Sequence, residues 1–313
     1  MPSTLVSIVV PTYNSENYVR DQINCLKNQT HENWEVFYVD DHSADNTVAI
    51  LNEYAATDGR IKIIVKDIRG GNPALSRVVG ANLSQGKFLC FLDHDDLWTQ
   101  DKLQCQLKAF EVYPSASIIY TAREIFGNEV PQAINEKFAV TTGVMQKQDP
   151  DLIFRKNFIT WSSGMVPRKL YEDVGGLPTG SEFLAVDDYY LWIRLAEKGE
   201  LVYIDLPLSY WRQHDRNLGN NQEIFIPGIR AIAKDMETRG VAPYKVGLMS
   251  GQAIKSEGVM NLVDHPVKGI RLLARSLRFN FQFKTLVIIC FGILNVLLPS
   301  SYRAALFARL HSR

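Results

Sequence analysis

The sequence lacks the glycine-rich motifs that commonly bind phosphate groups. No Gly-x-Gly-x-x-Gly follows the first predicted strand, and no Walker A lysine motif is present. The first absence argues against a dinucleotide-binding crossover, and the second argues against a P-loop nucleotidase. A phosphate-bearing ligand would therefore have to be neutralised by a metal ion and by side chains.

Cysteine is scarce, and no signal-like segment opens the chain. The four cysteines form no Cys-x-x-Cys pair; they are Cys25, Cys90, Cys105 and Cys290. This spacing predicts a reduced protein with neither a zinc site nor a disulfide framework. Residues 6–10 lead directly into a Pro-Thr-Tyr-Asn turn, so we expect an intracellular, cytoplasmic protein.

The chain has no net charge, but its charged residues are unevenly distributed. The 313 residues carry 34 basic and 34 acidic side chains, a balance that argues against a nucleic-acid-binding protein. Residues 265–313 contain eight Lys or Arg and no Asp or Glu, which leaves residues 1–264 with 26 basic and 34 acidic side chains. A basic tail on an acidic body predicts an anionic partner for the tail alone.

The longest apolar run is short for a membrane crossing. Residues 285–298 span 14 positions, interrupted by Gly292 and Asn295, whereas a spanning helix needs about 20 apolar residues. Because Lys284 and Arg303 flank this run, it predicts an interfacial helix on an anionic leaflet, peripheral on the cytoplasmic face of a membrane. The alternative is a helical hairpin packed on the preceding domain or on another subunit.

Alternating apolar segments predict an α/β fold. Short apolar runs typical of buried strands occur at residues 5–10, 34–39, 61–65, 88–92 and 116–120. Segments with helical spacing separate them, and this β-α-β order with short connections predicts a doubly wound, mostly parallel sheet. Residues 123–165 give no clear pattern.

Helix signals complete the predicted organisation. Ser15, Asp45 and Thr99 are placed to cap the helices that follow them. Helical spacing at residues 224–239 and 246–262 predicts a helical C-terminal region. We therefore expect an α/β domain over 1–220 and a basic helical region over 221–313.

The most informative segment is Phe-Leu-Asp-His-Asp-Asp-Leu-Trp at residues 91–98. It places Asp93, Asp95 and Asp96 directly after a predicted buried strand, at the sheet edge where ligands of open α/β sheets bind. Clustered carboxylates repel one another, and all-oxygen ligands suit Mg²⁺ or Mn²⁺, which bridge to substrate phosphates. The alternative is a solvated turn followed by a helix N-cap.

A second polar set should lie at the same edge. Asp40 and Asp41 end the second predicted strand, and Pro11, Thr12 and Tyr13 end the first. A tyrosine there can stack on a base, and a carboxylate can accept from a base N–H or a ribose hydroxyl. Alternatively, Asp40 and Asp41 only cap the following helix.

These segments together resemble the family 2 glycosyltransferases of the GT-A fold. The resemblance runs from Ser7 to about Asn217, and its order and intervals make it specific. It is carried by SIVVPTYNSENYV, VDDHSADNT, SRVVGANLSQGKFLCFLDHDDLW, AVDDYYLWIRLAEKG and YWRQHDRN. The resemblance implies an inverting transfer of a sugar from a nucleotide diphosphate donor.

The resemblance also implies roles for individual residues. The residues that frame the nucleotide base would be Pro11, Tyr13, Glu16 and Asp41. Arg77 would reach the ribose or the phosphates, Asp93 would lie near the ribose and the metal, and Asp95 would be the principal metal ligand. Asp96 would support the site from behind or cap a helix. Without the resemblance, Arg77 would be interpreted as a helix-surface cation.

A further acidic pair supplies candidates for the general base. Asp187 and Asp188 precede an apolar helix that ends at Gly199. The family position normally has Glu-Asp, and its second acid is the proposed base, so Asp187 is a departure that leaves both acids as candidates. A base is needed because an acceptor hydroxyl must lose its proton as it attacks C1. Alternatively, the pair is a favourable charge at a helix N-terminus.

The last candidates follow the apolar segment 201–211. By resemblance, His214 or Arg212 would contact the metal or the diphosphate and ease departure of the nucleotide. Trp161, Ser162 and Ser163 are placed to line the donor-sugar or acceptor pocket, although core packing explains Trp161 equally well.

The sequence therefore predicts a glycosyltransferase dependent on Mn²⁺ or Mg²⁺. The expected donor is a UDP-sugar, and the expected acceptor is a glycan or lipid-linked glycan of cell-surface polysaccharide synthesis. One alternative is a sugar-phosphate nucleotidylyltransferase, which would normally show a glycine-rich loop with Arg and Lys after the first strand. The other is a non-enzymatic nucleotide-sugar-binding protein, which would bind nucleotide without turnover.

Overall fold

A computed structural model provides the structure of this chain. It describes residues 4–127, 129–135, 138, 141, 144–214, 222–262, 265–279, 285–290 and 293. Contacts divide the described residues into two compact units. The first comprises those of Met1–Ile153, Asn157–Ser181 and Asp187–Asn217, and the second comprises those of Phe154–Lys156, Glu182–Val186 and Leu218–Arg313.

The first unit begins with four parallel strands that alternate with helices. The strands are β1 (Val6–Thr12), β2 (Trp34–Asp40), β3 (Ile61–Val65) and β4 (Phe88–Phe91), and the intervening helices are α1 (Val19–Lys27), α2 (Thr47–Ala55) and α3 (Pro73–Leu83). Every residue of β1, β2 and β4 is buried, because helices cover both faces of a doubly wound sheet. The strand order β3-β2-β1-β4 therefore confirms the predicted arrangement.

The sheet continues in a mixed half. Its strands are β5 (Leu97–Trp98), β6 (Ala116–Phe126), β7 (Met145–Gln148), β8 (Gly164–Pro167) and β9 (Glu200–Arg212), and its helices are α4 (Lys102–Val112), α5 (Arg168–Asp173) and α6 (Asp187–Ala196). The order runs on as β4-β8-β6-β9-β5, with β7 beside β9. Among the described strands of this half, β6 and β9 pair in parallel, and the other pairings are antiparallel. The antiparallel strand β7 lies within residues 123–165, which had no clear sequence pattern, and β8 begins at the end of that segment.

Three helices form most of the described second unit: α7 (Gln222–Thr238), α8 (Pro243–Asn261) and α9 (Pro266–Ser276). Two glycines allow α8 and α9 to pack closely, since a Cβ on Gly269 would lie 2.8 Å from the Gly258 carbonyl oxygen. In the described part of the chain, no helix combines the length and apolarity of a membrane crossing. Much of the predicted apolar run 285–298 lies outside the described residues, and the domain boundary at residue 220 stays a prediction.

Candidate functional site

The site lies at the carboxyl edge of the parallel strands. The register of β1 and β2 pairs Thr12 with Asp40, and that of β1 and β4 pairs Val9 with Phe91. The loops that follow all three strands therefore emerge at one edge of the sheet. The polar residues predicted to follow β1, β2 and β4 therefore lie at this edge. The remaining candidates come from α6 and from the end of β9.

Arg77 joins two acidic segments that are far apart in sequence. It projects from α3, is almost completely buried, and donates from Nη2 to Asp93 Oδ1 at 2.5 Å and from Nη1 to Asp187 Oδ2 at 2.9 Å. Its guanidinium also lies over the Trp161 ring, 4.4 Å from the centroid. Arg77 is therefore not the helix-surface cation that its sequence context alone suggested.

A second long-range contact in the site joins Asp95 to His214. His214 Nε2 lies 2.7 Å from Asp95 Oδ2, although 119 residues separate them. The imidazole stacks on Tyr18, with the ring centroids 5.9 Å apart and the planes 7° apart. Tyr18 was not singled out from the sequence, because only its contact with the end of β9 places it in the site.

Asp96 and Arg212 are buried and support the acidic loop, which comprises residues 93–96 after β4. Asp96 accepts from the Arg212 backbone N–H at 2.9 Å and from the Ser162 hydroxyl at 2.5 Å. Burial, together with the charges of Asp95 and Asp93, raises the pKa of Asp96 well above its usual value. The Arg212 guanidinium donates from Nε to the Asp95 carbonyl oxygen at 2.9 Å. Arg212 is 3% exposed, so this structure places it behind the acidic loop.

The adjacent carboxylates Asp187 and Asp188 occupy different environments. Burial raises the pKa of Asp187, and Arg77 opposes this rise. Asp188 has neutral partners: it accepts from the Asn157 side chain at 3.0 Å and from the Tyr189 backbone N–H at 2.6 Å. Burial and the charge of Asp187 raise the pKa of Asp188 to about 7, a value suited to a general base near neutral pH. No sequence pattern had singled out Asn157, which lies in the segment 123–165.

The carboxylates expected near the nucleotide base hold loops together. Asp41 accepts from the backbone N–H groups of Gly70 and Gly71, both at 2.8 Å, and from Lys66 at 2.5 Å. Burial opposes ionisation, but these hydrogen bonds keep the pKa of Asp41 below its usual value. Glu16 accepts from the backbone N–H of Asn46 at 3.0 Å, at the start of α2.

The remaining candidates on the nucleotide side differ in exposure. Pro11 is buried in β1, opposite Val39. The Tyr13 ring is half-buried and carries Arg69 above it, with 4.2 Å between the guanidinium carbon and the ring centroid. Within this group, Tyr13 is therefore the residue with a partly exposed aromatic ring that could stack on a base.

The residues of turn 161–163 are buried and support the site from the interior of the protein. Trp161 packs against Phe91 and Trp192, with centroid separations of 4.9 and 5.3 Å. Ser162 accepts at its hydroxyl from the Asp93 backbone N–H at 3.2 Å. Both residues are buried, so they organise the acidic loop and Arg77.

The acidic residues fit a divalent ion only as a partial ligand set. Among the described residues, no three His, Cys, Asp or Glu side chains are arranged to hold one ion. Asp93 and Asp95 nevertheless provide two carboxylates in one loop, and Asp95 lies beside His214. This donor set suits Mg²⁺ or Mn²⁺, since such ions commonly take one or two carboxylates and complete their coordination with water and substrate phosphates.

The chain is similar to known proteins both in sequence and in fold. The family model described as Glycosyl transferase family 2 matches residues 7–175, just over half of the chain. The chain is 30% identical over 224 residues to the UDP-Glc:alpha-D-GlcNAc-diphosphoundecaprenol beta-1,3-glucosyltransferase WfgD of Escherichia coli, covering 71% of this chain and 82% of WfgD.

Solved structures establish the fold. One match is S. aureus TarS 1-349 in complex with UDP-GlcNAc, with a TM-score of 0.63, 17% identity and coverage of 95% of this chain and 85% of that chain. Another is the mannosyltransferase PcManGT from Pyrobaculum calidifontis in complex with GDP-Man and Mn²⁺, with a TM-score of 0.57, 16% identity and coverage of 97% and 85%. The fold is of the GT-A type, as predicted.

Proposed function

The chain belongs to glycosyl transferase family 2, and we propose that it is a metal-dependent inverting enzyme that uses a nucleotide diphosphate sugar. The proposed donor is a UDP-sugar, and the proposed acceptor is a lipid-linked or other glycan of cell-surface polysaccharide synthesis. The name of WfgD supports both assignments, since it gives UDP-Glc as donor and a diphosphoundecaprenol-linked sugar as acceptor.

The observation that carries this proposal is the bridge made by Arg77. One buried guanidinium contacts Asp93, in the loop after β4, and Asp187, at the start of α6. It thereby sets the acidic loop beside the helix that carries Asp188. An in-line displacement requires a carboxylate base on the side of the sugar opposite the leaving diphosphate.

Asp188 is the proposed base. Its raised pKa and neutral hydrogen-bond partners suit it to accept a proton near neutral pH, whereas the ion pair with Arg77 occupies Asp187. The acceptor hydroxyl gives its proton to Asp188 as its oxygen attacks C1, and the bond from C1 to the diphosphate breaks. A single displacement inverts the anomeric configuration.

Asp95, Asp93 and His214 are the proposed metal-holding residues. A bound Mn²⁺ or Mg²⁺ would neutralise the diphosphate, for which the described residues provide no glycine-rich cradle. On the nucleotide side, Tyr13 is proposed to stack on the base. Pro11 at the end of β1 and the loops held by Glu16 and Asp41 are proposed to shape the pocket of the base. Arg212 would act through the Asp95 backbone.

The basic tail is proposed to bind an anionic membrane surface on the cytoplasmic side. On α9, Lys268, Arg271 and Arg275 are exposed and lie at positions i, i+3 and i+7, so they share one helix face. Val287 and Ile293 are 37% and 49% exposed, which supports an apolar contribution from the following segment. A peripheral position would bring the enzyme to a lipid-linked acceptor.

The test begins with calorimetric titration of UDP and GDP in the presence and absence of Mn²⁺. Donor-hydrolysis and transfer assays across UDP- and GDP-sugars then follow, with the anomeric configuration of the product read by NMR. We expect UDP to bind more tightly with Mn²⁺ and the product to be inverted. Retention of configuration would exclude the single displacement, and binding without turnover of any donor would favour a nucleotide-sugar-binding protein.

A further inference from the structure

Lys102 is a completely buried lysine in the first turn of α4. Its side chain is 0% exposed, and no carboxylate of the described residues forms an ion pair with it. Burial lowers the pKa of its ammonium to about 8. An unpaired buried charge is unfavourable for folding, so the contacts of Lys102 must account for its presence.

The ammonium has two contacts. It lies over the Trp98 ring, 3.8 Å from the centroid, and donates to Gln106 Oε1 at 2.7 Å. An ammonium can only donate, so it fixes which end of the Gln106 amide faces it. The amide Nε2 is consequently directed to the carbonyl oxygens of Ile119 and Ser163, at 2.8 and 2.9 Å.

Both partners of Lys102 hold the same turn. Trp98 Nε1 donates to the Ser162 carbonyl oxygen at 2.6 Å, next to the Ser163 carbonyl that Gln106 binds. The Ser162 hydroxyl in turn accepts from the Asp93 backbone N–H and donates to Asp96. A continuous series of contacts thus runs from Lys102 to the acidic loop.

We propose that Lys102 is a positioning residue that fixes the acidic loop 93–96 by orienting Trp98 and Gln106 against turn 161–163. Lys102 does not contact the reacting groups. Its cation directs the indole and the amide so that two consecutive carbonyl groups are held from the interior. This inference rests on the proposed glycosyl transfer, since the loop it positions is the proposed metal and diphosphate site.

The test compares Lys102→Met with Lys108→Met, an exposed position on the same helix. Methionine keeps most of the length of the side chain but removes the charge and the donor. We expect Lys102→Met to fold with an unchanged or higher Tm, because an unpaired buried ammonium is removed. We also expect kcat/KM for the donor to fall by about 10- to 100-fold, the effect of slightly misplaced reacting groups. The acceptor KM and the kinetics of Lys108→Met should match wild type.

Gln106→Glu provides a second variant. Its carboxylate still accepts from Lys102 but, when ionised, cannot donate to the Ser163 carbonyl, so donor kcat/KM should fall as it does in Lys102→Met. A folded Lys102→Met protein with wild-type donor kinetics would overturn the proposal. If Lys102→Met does not fold, wild-type donor kinetics in Gln106→Glu would overturn it instead. A wild-type enzyme without any transfer would refute the proposed function, and this inference would fall with it.

Discussion

At the scale of single residues, hydrogen-bond partners distinguish two adjacent carboxylates. Asp187 faces a buried guanidinium, whereas Asp188 faces an amide and a backbone N–H. Both begin α6, where a helix dipole favours negative charge. The cation lowers the free-energy cost of ionising Asp187, and Asp188 has no comparable compensation. The two acids are therefore suited to different roles.

Replacing each acid by its amide tests these roles. Asp188→Asn should bind UDP and Mn²⁺ normally but transfer about 10² to 10⁴ times more slowly, the usual effect of removing a general base. Asp187→Asn should have a milder effect on the chemical step. Titration calorimetry and single-turnover rates make the comparison. The reverse ranking would assign the base to Asp187, and near-normal rates in both would remove this helix start from the mechanism.

The pKa of about 7 for Asp188 gives the direction of two pH effects. Since the base must be ionised, the transfer rate should rise with pH and level off above about pH 7. A carboxyl whose pKa is raised by folding stabilises the fold only when protonated, and this contribution is lost as pH rises from about 4 to about 7. Asp188→Asn should therefore be more stable than wild type at pH 8, by about 1–3 kcal/mol. Thermal unfolding at pH 4 and pH 8 would reveal the difference, and equal Tm values at pH 8 would contradict it.

Asp95→Asn tests the metal site. The amide keeps the shape of the side chain but removes a full charge, so Mn²⁺ should bind much more weakly. We expect UDP affinity to become insensitive to Mn²⁺ and transfer to fall to background, whereas Glu111→Gln, at an exposed position, should behave as wild type. Metal-stimulated turnover near the wild-type rate in Asp95→Asn would show that the acidic cluster is structural.

At the scale of elements, side chains from one loop organise the next. Asn14 and His42 have positive φ angles of 48° and 66°, in the loops after β1 and β2. The Asn14 backbone N–H donates to the Ser43 hydroxyl at 2.9 Å, and the Asn14 side chain accepts from the Ala44 N–H at 2.9 Å. These bonds offset the unfavourable backbone conformation and join the two loops into one edge of the site.

Asp41 should control the loop between β3 and α3. Asp41→Ala leaves the N–H groups of Gly70 and Gly71 without their acceptor and Lys66 without its ion pair. We expect a loss of about 1–3 kcal/mol in stability, faster proteolysis within residues 66–71 and weaker UDP binding. Asp67→Ala is the control, because Asp67 is exposed in the same loop. Equal proteolysis of the two variants would show that Asp41 does not hold this loop.

Helix starts show the limits of local sequence signals. Of the three predicted capping residues, Asp45 does cap its helix. Although it lies two residues before the first residue of α2, its side chain accepts from the Thr47 N–H at 3.0 Å. The predictions for Ser15 and Thr99 were wrong, because α1 begins at Val19 and α4 begins at Lys102. Ser15 instead accepts weakly from the Tyr13 N–H at 3.3 Å, as part of the edge loops.

At the scale of the whole molecule, the uneven distribution of charge predicts binding to an anionic membrane surface. Each Lys or Arg near an anionic surface contributes up to about 1 kcal/mol, and the attraction decays within a Debye length. Apolar burial adds a contribution that salt does not screen. The full-length protein should therefore bind anionic vesicles, bind less in high salt, and not be fully released by it.

Truncation after residue 264 separates the two activities. The shortened protein should lose vesicle binding but keep UDP binding, because every proposed nucleotide contact lies upstream. Sedimentation with vesicles and calorimetry with UDP measure the two properties. Equal partitioning of both proteins would refute the membrane proposal, and insolubility of the shortened protein without detergent would favour the alternative of a packed helical hairpin.

Local sequence patterns were sufficient to predict the alternation of strands and helices and the position of the acids after β4. Both follow from local patterns, because a buried parallel strand needs a continuous apolar run and its carboxyl end must leave the core. The antiparallel direction of β8 was not readable, since strand direction depends on connections through residues 123–165, where the periodicity is weak.

The pairing of the charged side chains, in contrast, depends on contacts between distant segments of the folded chain. Arg77 and Asp187 are 110 residues apart in sequence, and Asp95 and His214 are 119 residues apart. No local pattern specifies such contacts, because several acids could compete for one guanidinium and packing alone selects among them. The difference between Asp187 and Asp188, and the burial of Lys102, likewise depend on neighbours from distant segments, which set the cost of each charge.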